Sequence, residues 1–483
     1  MVAAGFSGIT RTHYTLIFEM SDQQSLLTLP VNGEGVYGAT NFWMLVTGKP
    51  AALRLADLLL RSLWYDVGRS DSSDFSHTGG DTAMEKDFFI NAVQMVDVEG
   101  STNIPTALLY QPGNKLLVGS AAVSEGSPDE LNEDFKVDLG NIDPGSKKPR
   151  TPFFTATGTP KSAAELTADF LHEVVKYART WMGGRGVTKA TSVLLAEPVA
   201  QQDELLSGEW LSNYRNNLRR ILIGKGFATI DFLPEPFAVF QYYRYGARHP
   251  LVAQRAKLNA LVVDFGGGTC DVCIIETTKE GDISQTGRNS KPLAAASKPI
   301  GGFFINRITA EDLFRAILGQ PSSTRLKKGL AAYMEWRRAP KELTTYADEL
   351  RNFIRSFHTA THRVENPKLT LCISITDWRL DTPLTLRCPV ALPADPFSDQ
   401  PPTLSVPLSA VRLRELFIQR VWGQHLKPLL MRTLARGKEE LEGSPISLVL
   451  LSGGSANIGW LRELIQEEFA GRSTARRGDS SSS

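Results

Sequence analysis

Two aspartates flank a run of glycine in Asp264-Phe265-Gly266-Gly267-Gly268-Thr269-Cys270-Asp271. The run is entered from Ala260-Leu261-Val262-Val263 and left through Val272-Cys273-Ile274-Ile275, which predicts a β-hairpin suited to holding phosphates. Consecutive glycines open turn conformations closed to other residues and remove side chains that would hold a polyphosphate away, so several N–H groups can converge on one anion. Asp264, at the end of a buried strand, and Asp271, just past the turn, are placed to hold a hydrated divalent cation beside those phosphates. The Thr269 hydroxyl can hydrogen-bond one of them. A plain tight hairpin would be served by Asn-Gly or Asp-Gly, and three glycines between carboxylates spend backbone entropy that a mere turn does not require.

A second glycine site follows the apolar run Ile446-Ser447-Leu448-Val449-Leu450-Leu451, short enough for a strand buried on both faces. Ser452-Gly453-Gly454-Ser455 comes next, and then Ile458, Leu461, Leu464, Ile465 and Phe469 recur on one helical face. Strand, glycine turn and helix make a common ligand-binding arrangement, because the backbone can approach closely and the helix amino end favours an electronegative group. An ordinary tight β-α loop has the same pattern. Upstream, a strand at Ile230-Asp231-Phe232-Leu233 leads to Glu235-Pro236. Proline is tolerated in the first turn of a helix, so Glu235 is expected at a helix amino end facing the adjoining cleft.

The elements that must carry these residues alternate between strand and helix. Short strand-like runs (Phe88-Phe89-Ile90, Ala107-Leu108-Leu109-Tyr110, Leu116-Leu117-Val118) precede a Pro/Gly/Lys-rich connection over 143–160. Leu166, Phe170, Val174, Ala178 and Trp181 recur at helical spacing before a strand at Ser192-Val193-Leu194-Leu195, and a basic helix spans 211–223. A hinge is expected around 247–257. Residues 1–60 show little pattern apart from an apolar, helical-looking segment over 51–63. The stripe Leu413, Leu416, Phe417 and Val421 reads as core packing.

Composition narrows the functional classes. The 483 residues are 42% hydrophobic and 22% charged with a formal net charge of +1, as expected of a globular protein of two or more lobes. Near neutrality argues against nucleic acid or a membrane surface as a partner found by charge alone. No apolar run reaches spanning length and the amino terminus lacks the pattern of a secretion signal, so a cytoplasmic location is expected. Cys270, Cys273, Cys372 and Cys388 read as reduced structural thiols, since residues three apart on a strand face opposite ways. His358 and His362 stand one helical turn apart, as in a zinc helix, but no third ligand is evident and a solvated helix face is the expectation. Arg325-Leu326-Lys327-Lys328 and Arg337-Arg338 belong to a mixed-charge helical region. Neither a P-loop nor a Gly-x-Ser-x-Gly elbow is present.

The two glycine sites, in this order and at this separation, resemble the nucleotide-binding domain of the heat shock protein 70 (DnaK-type) family, within the actin-like ATPase superfamily. Asp264 to Asp271 is similar to the family's second phosphate motif, and Leu451 to Ile458 to its adenosine motif. Leu233-Pro234-Glu235-Pro236-Phe237-Ala238 resembles the first connecting motif. Lys298-Pro299-Ile300-Gly301-Gly302-Phe303-Phe304-Ile305-Asn306 resembles the Gly-Gly segment after the second phosphate loop, and Thr102-Asn103-Ile104-Pro105-Thr106 the threonine-proline strand entry. Phe135-Lys136 is placed at the catalytic lysine. Tyr65-Asp66-Val67-Gly68-Arg69-Ser70 is the segment nearest to the first phosphate motif, with Arg69 at a threonine position. Phe303, Phe304 and Asn306 replace acidic residues of the family, and Asn457 stands where an arginine commonly stacks on adenine.

The resemblance implies an α/β chain of the actin-like ATPase fold: two lobes, each with a mixed β-sheet flanked by helices around a nucleotide cleft, a duplicated ribonuclease H-like motif. On that reading residues 1–60 are an unassigned extension, 61–257 the first lobe, 258–470 the second, and 471–483 a disordered tail. ATP or ADP would lie between the lobes. Its adenosine end would rest against Gly453, Gly454, Ser455 and Asn457, and its phosphates among Gly68, Gly266, Gly267, Gly268, Gly301 and Gly302. Asp66 and Asp264 would hold Mg2+ largely through water, with Glu235 and Asp271 shaping its hydration shell and positioning the nucleophile. Lys136 and Thr269 would stabilise charge on the terminal phosphoryl group. The family's peptide-binding region and second connecting helix have no counterpart after Phe469. The implied function is therefore a weak Mg-dependent ATPase whose lobes open and close as a regulatory or co-chaperone-like switch for a protein partner. A nucleotide-binding interaction module without turnover, an actin-like assembly scaffold and a small-molecule kinase are the alternatives.

Overall fold

The computed structural model describes strand segments at residues 2–4, 16–19, 26–27, 44–47 and 94–95, together with residues 104–128, 130–133, 135–141, 153–184, 192–199, 208–237, 239–240, 257–278, 290–319, 324–338, 341–375 and 377–478. Within them the chain is mixed α/β, with two larger sheets and several small ones.

The six-stranded sheet runs in the order Ser290–Lys298, Cys270–Thr278, Lys257–Phe265, Leu448–Ser452, Leu16–Glu19 and Leu26–Leu27. Only Lys257–Phe265 and Leu448–Ser452 are parallel; the other neighbours are antiparallel. Ala260, Leu261, Val262 and Val263 are all buried, as is every residue of Leu448–Ser452. Strands covered on both faces read as unbroken apolar runs, and both of these do. The five-stranded sheet is ordered Thr229–Pro234, Ser192–Glu197, Met44–Thr47, Val2–Ala4 and Gln94–Met95. Strands from the weakly patterned first sixty residues thus pair into both sheets.

Two separate hydrophobic cores stand beside these sheets. The first draws on residues between Ile104 and Phe232, and the Leu166, Phe170, Val174 and Ala178 stripe of the Ala163–Gly183 helix is buried in it. That helix opens on a capping box: Ser162 Oγ accepts from Glu165 N at 3.2 Å while Glu165 Oε2 accepts from Ser162 N at 2.7 Å. The second core runs from Leu261 to Phe469 and contains Leu413, Phe417 and Val421 of the expected stripe, whose Leu416 is also buried. Within it Phe417–Leu426 is a π-helix, a wider winding that hydrophobic periodicity does not announce.

Several expectations change. The Asp348–Arg363 helix does not turn His358 to solvent: the residue is 2% exposed, with the Trp336 and Phe303 rings at 5.2 and 6.4 Å. The helix beginning at Gly459 continues to Gly478, past the point where a tail was expected, and part of the Pro/Gly/Lys-rich connection forms a small ladder of Phe153–Phe154 with Pro160–Lys161. Residues 51–63, 88–90 and most of the expected hinge lie outside the described residues. All four cysteines are free, and three are buried. No helix among the described residues is long and apolar enough to cross a membrane.

Candidate functional site

The glycine hairpin forms as its sequence dictates. Lys257–Phe265 pairs antiparallel with Cys270–Thr278, and residues 266–269 make the bend. In that register Asp264 lies opposite Asp271, while the parallel neighbour sets Ser452 beside Asp264. Cross-strand partners share a face of the sheet, so the two carboxylates face the same way.

The bend is held from behind. Gly266 N donates to Thr269 O at 2.9 Å, and the Gly266 carbonyl accepts from Gly302 N at 3.1 Å and from Ser455 Oγ at 2.7 Å. The Gly267 carbonyl accepts from Phe303 N at 3.0 Å. A planar trans peptide points its N–H opposite to its carbonyl, and no cis peptide is present among the described residues. The N–H groups of Gly267 and Gly268 therefore face away from the Gly302–Leu318 helix, toward the open side of the bend. The first donors of that helix are consumed in buttressing the turn, and the turn's own amides are left to form an anion nest.

Close approach explains two glycines. A Cβ at Gly301 would lie 2.4 Å from the carbonyl carbon and oxygen of Gly267, and one at Gly453 would lie 2.4 Å from the Phe265 carbonyl oxygen. Gly453 also has φ +86°, a left-handed backbone that favours glycine. The two glycine segments, distant in sequence, thus touch at one end of the six-stranded sheet. Gly454 and Asn457 bound a short 3-10 turn that also contains the buried Ser455.

Charge concentrates beside the bend. Glu235 follows the Thr229–Pro234 strand as the first residue of a helical turn, as Pro236 led one to expect, and is 8% exposed. Lys136, on the short Phe135–Asp138 helix, is 5% exposed and places Nζ 2.7 Å from Glu235 Oε1. Burial, then the negative charges of Glu235 and Asp271, push the Asp264 carboxyl up to about 8, against the opposing pull of the Ser452 side chain and Lys136. Burial and Glu235 likewise push Asp271 up, while Ser297, Thr269 and the Val199 N–H, 3.3 Å from Asp271 Oδ1, draw it down. Three carboxylates thus act on one another in a buried setting with one lysine bonded among them. Such a set takes up protons or a cation to relieve its repulsion.

Asp264, Thr269, Asp271, Glu235, Lys136, Gly266, Gly267, Gly268, Gly301, Gly302, Gly453, Gly454, Ser455 and Asn457 all lie on elements that converge here. Asp66 and Gly68 lie outside the described residues. One group escaped the sequence reading. Glu365 and Lys368, one turn apart on the Glu365–Ser374 helix, are buried and paired at 2.8 Å, and Asn306 Nδ2 donates to the same Glu365 oxygen at 2.5 Å. A Cβ at Gly302 would sit 3.2 Å from Ser455 Oγ and 3.5 Å from Lys368 Nζ, so this network abuts the second glycine segment. Its signal was a Glu-x-x-Lys spacing leading into the apolar Leu369 to Ile373 stretch, which a solvated helix would share. Asn306 thereby holds Glu365 from the Gly302–Leu318 helix. Phe303 instead packs on His362 at 5.7 Å.

The chain is similar to the "Chaperone protein HscA homolog" of Azotobacter vinelandii, with 25% identity over 203 residues, 39% of this chain and 30% of that protein. The matched part is less than a third of the chaperone's length. No protein-family model matches the chain. The similarity supports a distant relationship to chaperones of the heat shock protein 70 type, at a level that specifies neither a ligand nor a reaction.

Proposed function

We propose that the chain binds an adenine nucleotide with Mg2+ at the convergence of the two glycine segments, and that the protein is a nucleotide-dependent switch of the heat shock protein 70 type with weak hydrolysis. The observation that carries this reading is the pairing of an oriented amide nest at Gly267 and Gly268 with the half-buried Asp264 and the buried Asp271 and Glu235 carboxylates. The first suits a polyphosphate, and the second suits a hard, oxygen-loving cation.

The donor set fits magnesium. Its ligands here are carboxylate oxygens with no soft atom among them, and Asp264 and Asp271 are raised first by burial and then by neighbouring negative charge, which a divalent ion would balance. When bound, the ion neutralises charge on the phosphates. Asp264 and Asp271 would hold it, largely through water. Glu235, anchored by Lys136, would orient the attacking water, and the Gly267 and Gly268 amides with Thr269 would cradle the terminal phosphates. Lys136 would offset charge developing there, a contribution that is electrostatic and positional. Gly453, Gly454, Ser455 and Asn457, with Lys368 and Glu365 beside them, would receive the nucleoside end. Asp66 and Gly68 are proposed to complete the phosphate site from the first lobe of an actin-like fold, each lobe built on one of the two cores.

Titration calorimetry with ATP, with and without Mg2+, tests the reading when paired with a phosphate-release assay. Magnesium-dependent binding that Asp264→Ala abolishes is expected, with slow phosphate release above that variant. Binding without release would leave the interaction module standing in place of the ATPase, and ATP-dependent sedimentation would indicate an assembly scaffold. Indifference of the folded protein to adenine nucleotides would overturn the proposal.

A further inference from the structure

Away from the glycine bends, the third ligand that the sequence failed to reveal for His358 and His362 is present in space. Glu133, on the two-residue Asn132–Glu133 strand, brings a carboxylate oxygen 3.3 Å from His362 Nε2. One ligand atom from each of Glu133, His358 and His362 lies within 4.8 Å of the other two. We propose that these three side chains form a Zn(II) site with an open fourth position, tying the elements around the first core to a helix of the second.

The donor chemistry selects the ion. Two imidazoles and one carboxylate suit zinc and are a poor set for magnesium or calcium, which take oxygen ligands. Ligand bonds of 2.0–2.2 Å in a tetrahedron put neighbouring donor atoms about 3.4 Å apart. The Glu133 to His362 edge already has that length, and the His358 nitrogen needs to close by about 1.4 Å at most, a small side-chain adjustment on the same scale.

The surroundings fit a ligand set better than an ion pair. His362 Nε2 is buried and makes no hydrogen bond, although a carboxylate oxygen lies beside it. A cation between them would satisfy that nitrogen. His358 is enclosed, at 2% exposure. Its ring is flanked by the Tyr333 hydroxyl, 3.3 Å from Nδ1, and by the Trp336 edge, the kind of outer support that metal-binding histidines receive. Phe303, which packs on both imidazoles, shields one side of the cluster. The two histidines are one turn apart on the Asp348–Arg363 helix, so their spacing is fixed by the backbone.

The test uses the full chain, stripped with a chelator, desalted and titrated with ZnCl2, with bound metal read by atomic emission. One tightly held equivalent is expected, accompanied by a rise in thermal midpoint. Glu133→Gln and His362→Ala, both at partly exposed positions, should each weaken zinc binding on the order of 100-fold or more, since loss of even an outer-shell partner weakens such sites ten- to a hundredfold. Their far-ultraviolet dichroism should match that of the unaltered protein. Cobalt(II) in place of zinc should give a tetrahedral visible spectrum without a thiolate charge-transfer band. Failure to bind an equivalent, an affinity in either variant unchanged from that of the unaltered protein, or a thiolate band pointing to the cysteines would each overturn the site.

Discussion

Replacing Gly301 with alanine probes the buttressed bend directly. The added Cβ would lie 2.4 Å from Gly267 C and O and 2.6 Å from Gly268 N, all main-chain atoms that no rotamer change can move aside. Ordinary carbon contacts start near 3.4 Å, so bend and helix must separate by about 1 Å. Overpacking of this kind destabilises by about 1–3 kcal/mol, or about 2–4 °C in thermal midpoint per kcal/mol for a domain of 150–250 residues. The same shift disturbs Gly302 N to Gly266 O and Phe303 N to Gly267 O, the two bonds that aim the Gly267 and Gly268 amides. A hydrogen bond to a charged group is worth about 1.5–3 kcal/mol, so loss of one should weaken ATP binding by about tenfold to a hundredfold. Calorimetry with Mg-ATP and a thermal scan on the same sample supply both readouts. Gly183→Ala is the control, because a Cβ there meets nothing within 4 Å. An affinity within twofold of the parent, with an unchanged midpoint, would refute the argument that the bend's amides are aimed by the helix behind them.

Asp264 makes stability depend on pH with a definite sign. Its folded value, about 8, lies above the ordinary 3.8, so the folded state binds the extra proton and stability falls as pH rises from about 4 to about 8. Asp264→Asn should flatten that part of the profile, and Mg2+ should offset the loss near pH 8 in the parent protein. Lys136→Met leaves Glu235 buried without its partner and should destabilise by about 3–5 kcal/mol in denaturant titration; adding Glu235→Gln should recover at least half. Phe357→Ala removes a fully buried ring stacked on Phe353 at 5.6 Å and should destabilise by about 3–5 kcal/mol by the same measurement. Burial raises the Cys273 and Cys372 thiols to about 12 and pushes Cys270 well up too, so a thiol reagent should find Cys388 in the native protein and all four after denaturation.

The parts legible from sequence were those in which local chemistry and tertiary demand agree. Triple glycine after an apolar run can hardly be other than a bend, and Leu448–Ser452 announces burial on both faces through composition alone. Glu235 was placed by the proline after it. Contacts made across the chain left no such trace. Glu365 and Lys368 resemble any exposed helical pair until Asn306 and the second glycine segment close over them. His358 looked solvated because its neighbours Arg355 and His362 are polar, and the rings that enclose it come from Phe303, Tyr333 and Trp336. Residues 16–19 and 44–47 are short strands that pair with the distant Leu448–Ser452 and Ser192–Glu197 strands, so no periodicity within them could show their pairing.

The Leu448–Ser452 strand lies between Lys257–Phe265 on one side and Leu16–Glu19 on the other. During synthesis both neighbours leave the ribosome long before it does, and each presents an unpaired backbone edge in the meantime. The sheet, and the Gly453 loop with it, can close only after the Leu448–Ser452 strand has emerged. Folding of this half is therefore dominated by a slow, long-range insertion whose closure must outpace edge-to-edge aggregation. Competence to bind a ligand at the glycine segments is, in consequence, gained only once that strand has been inserted between its two neighbours.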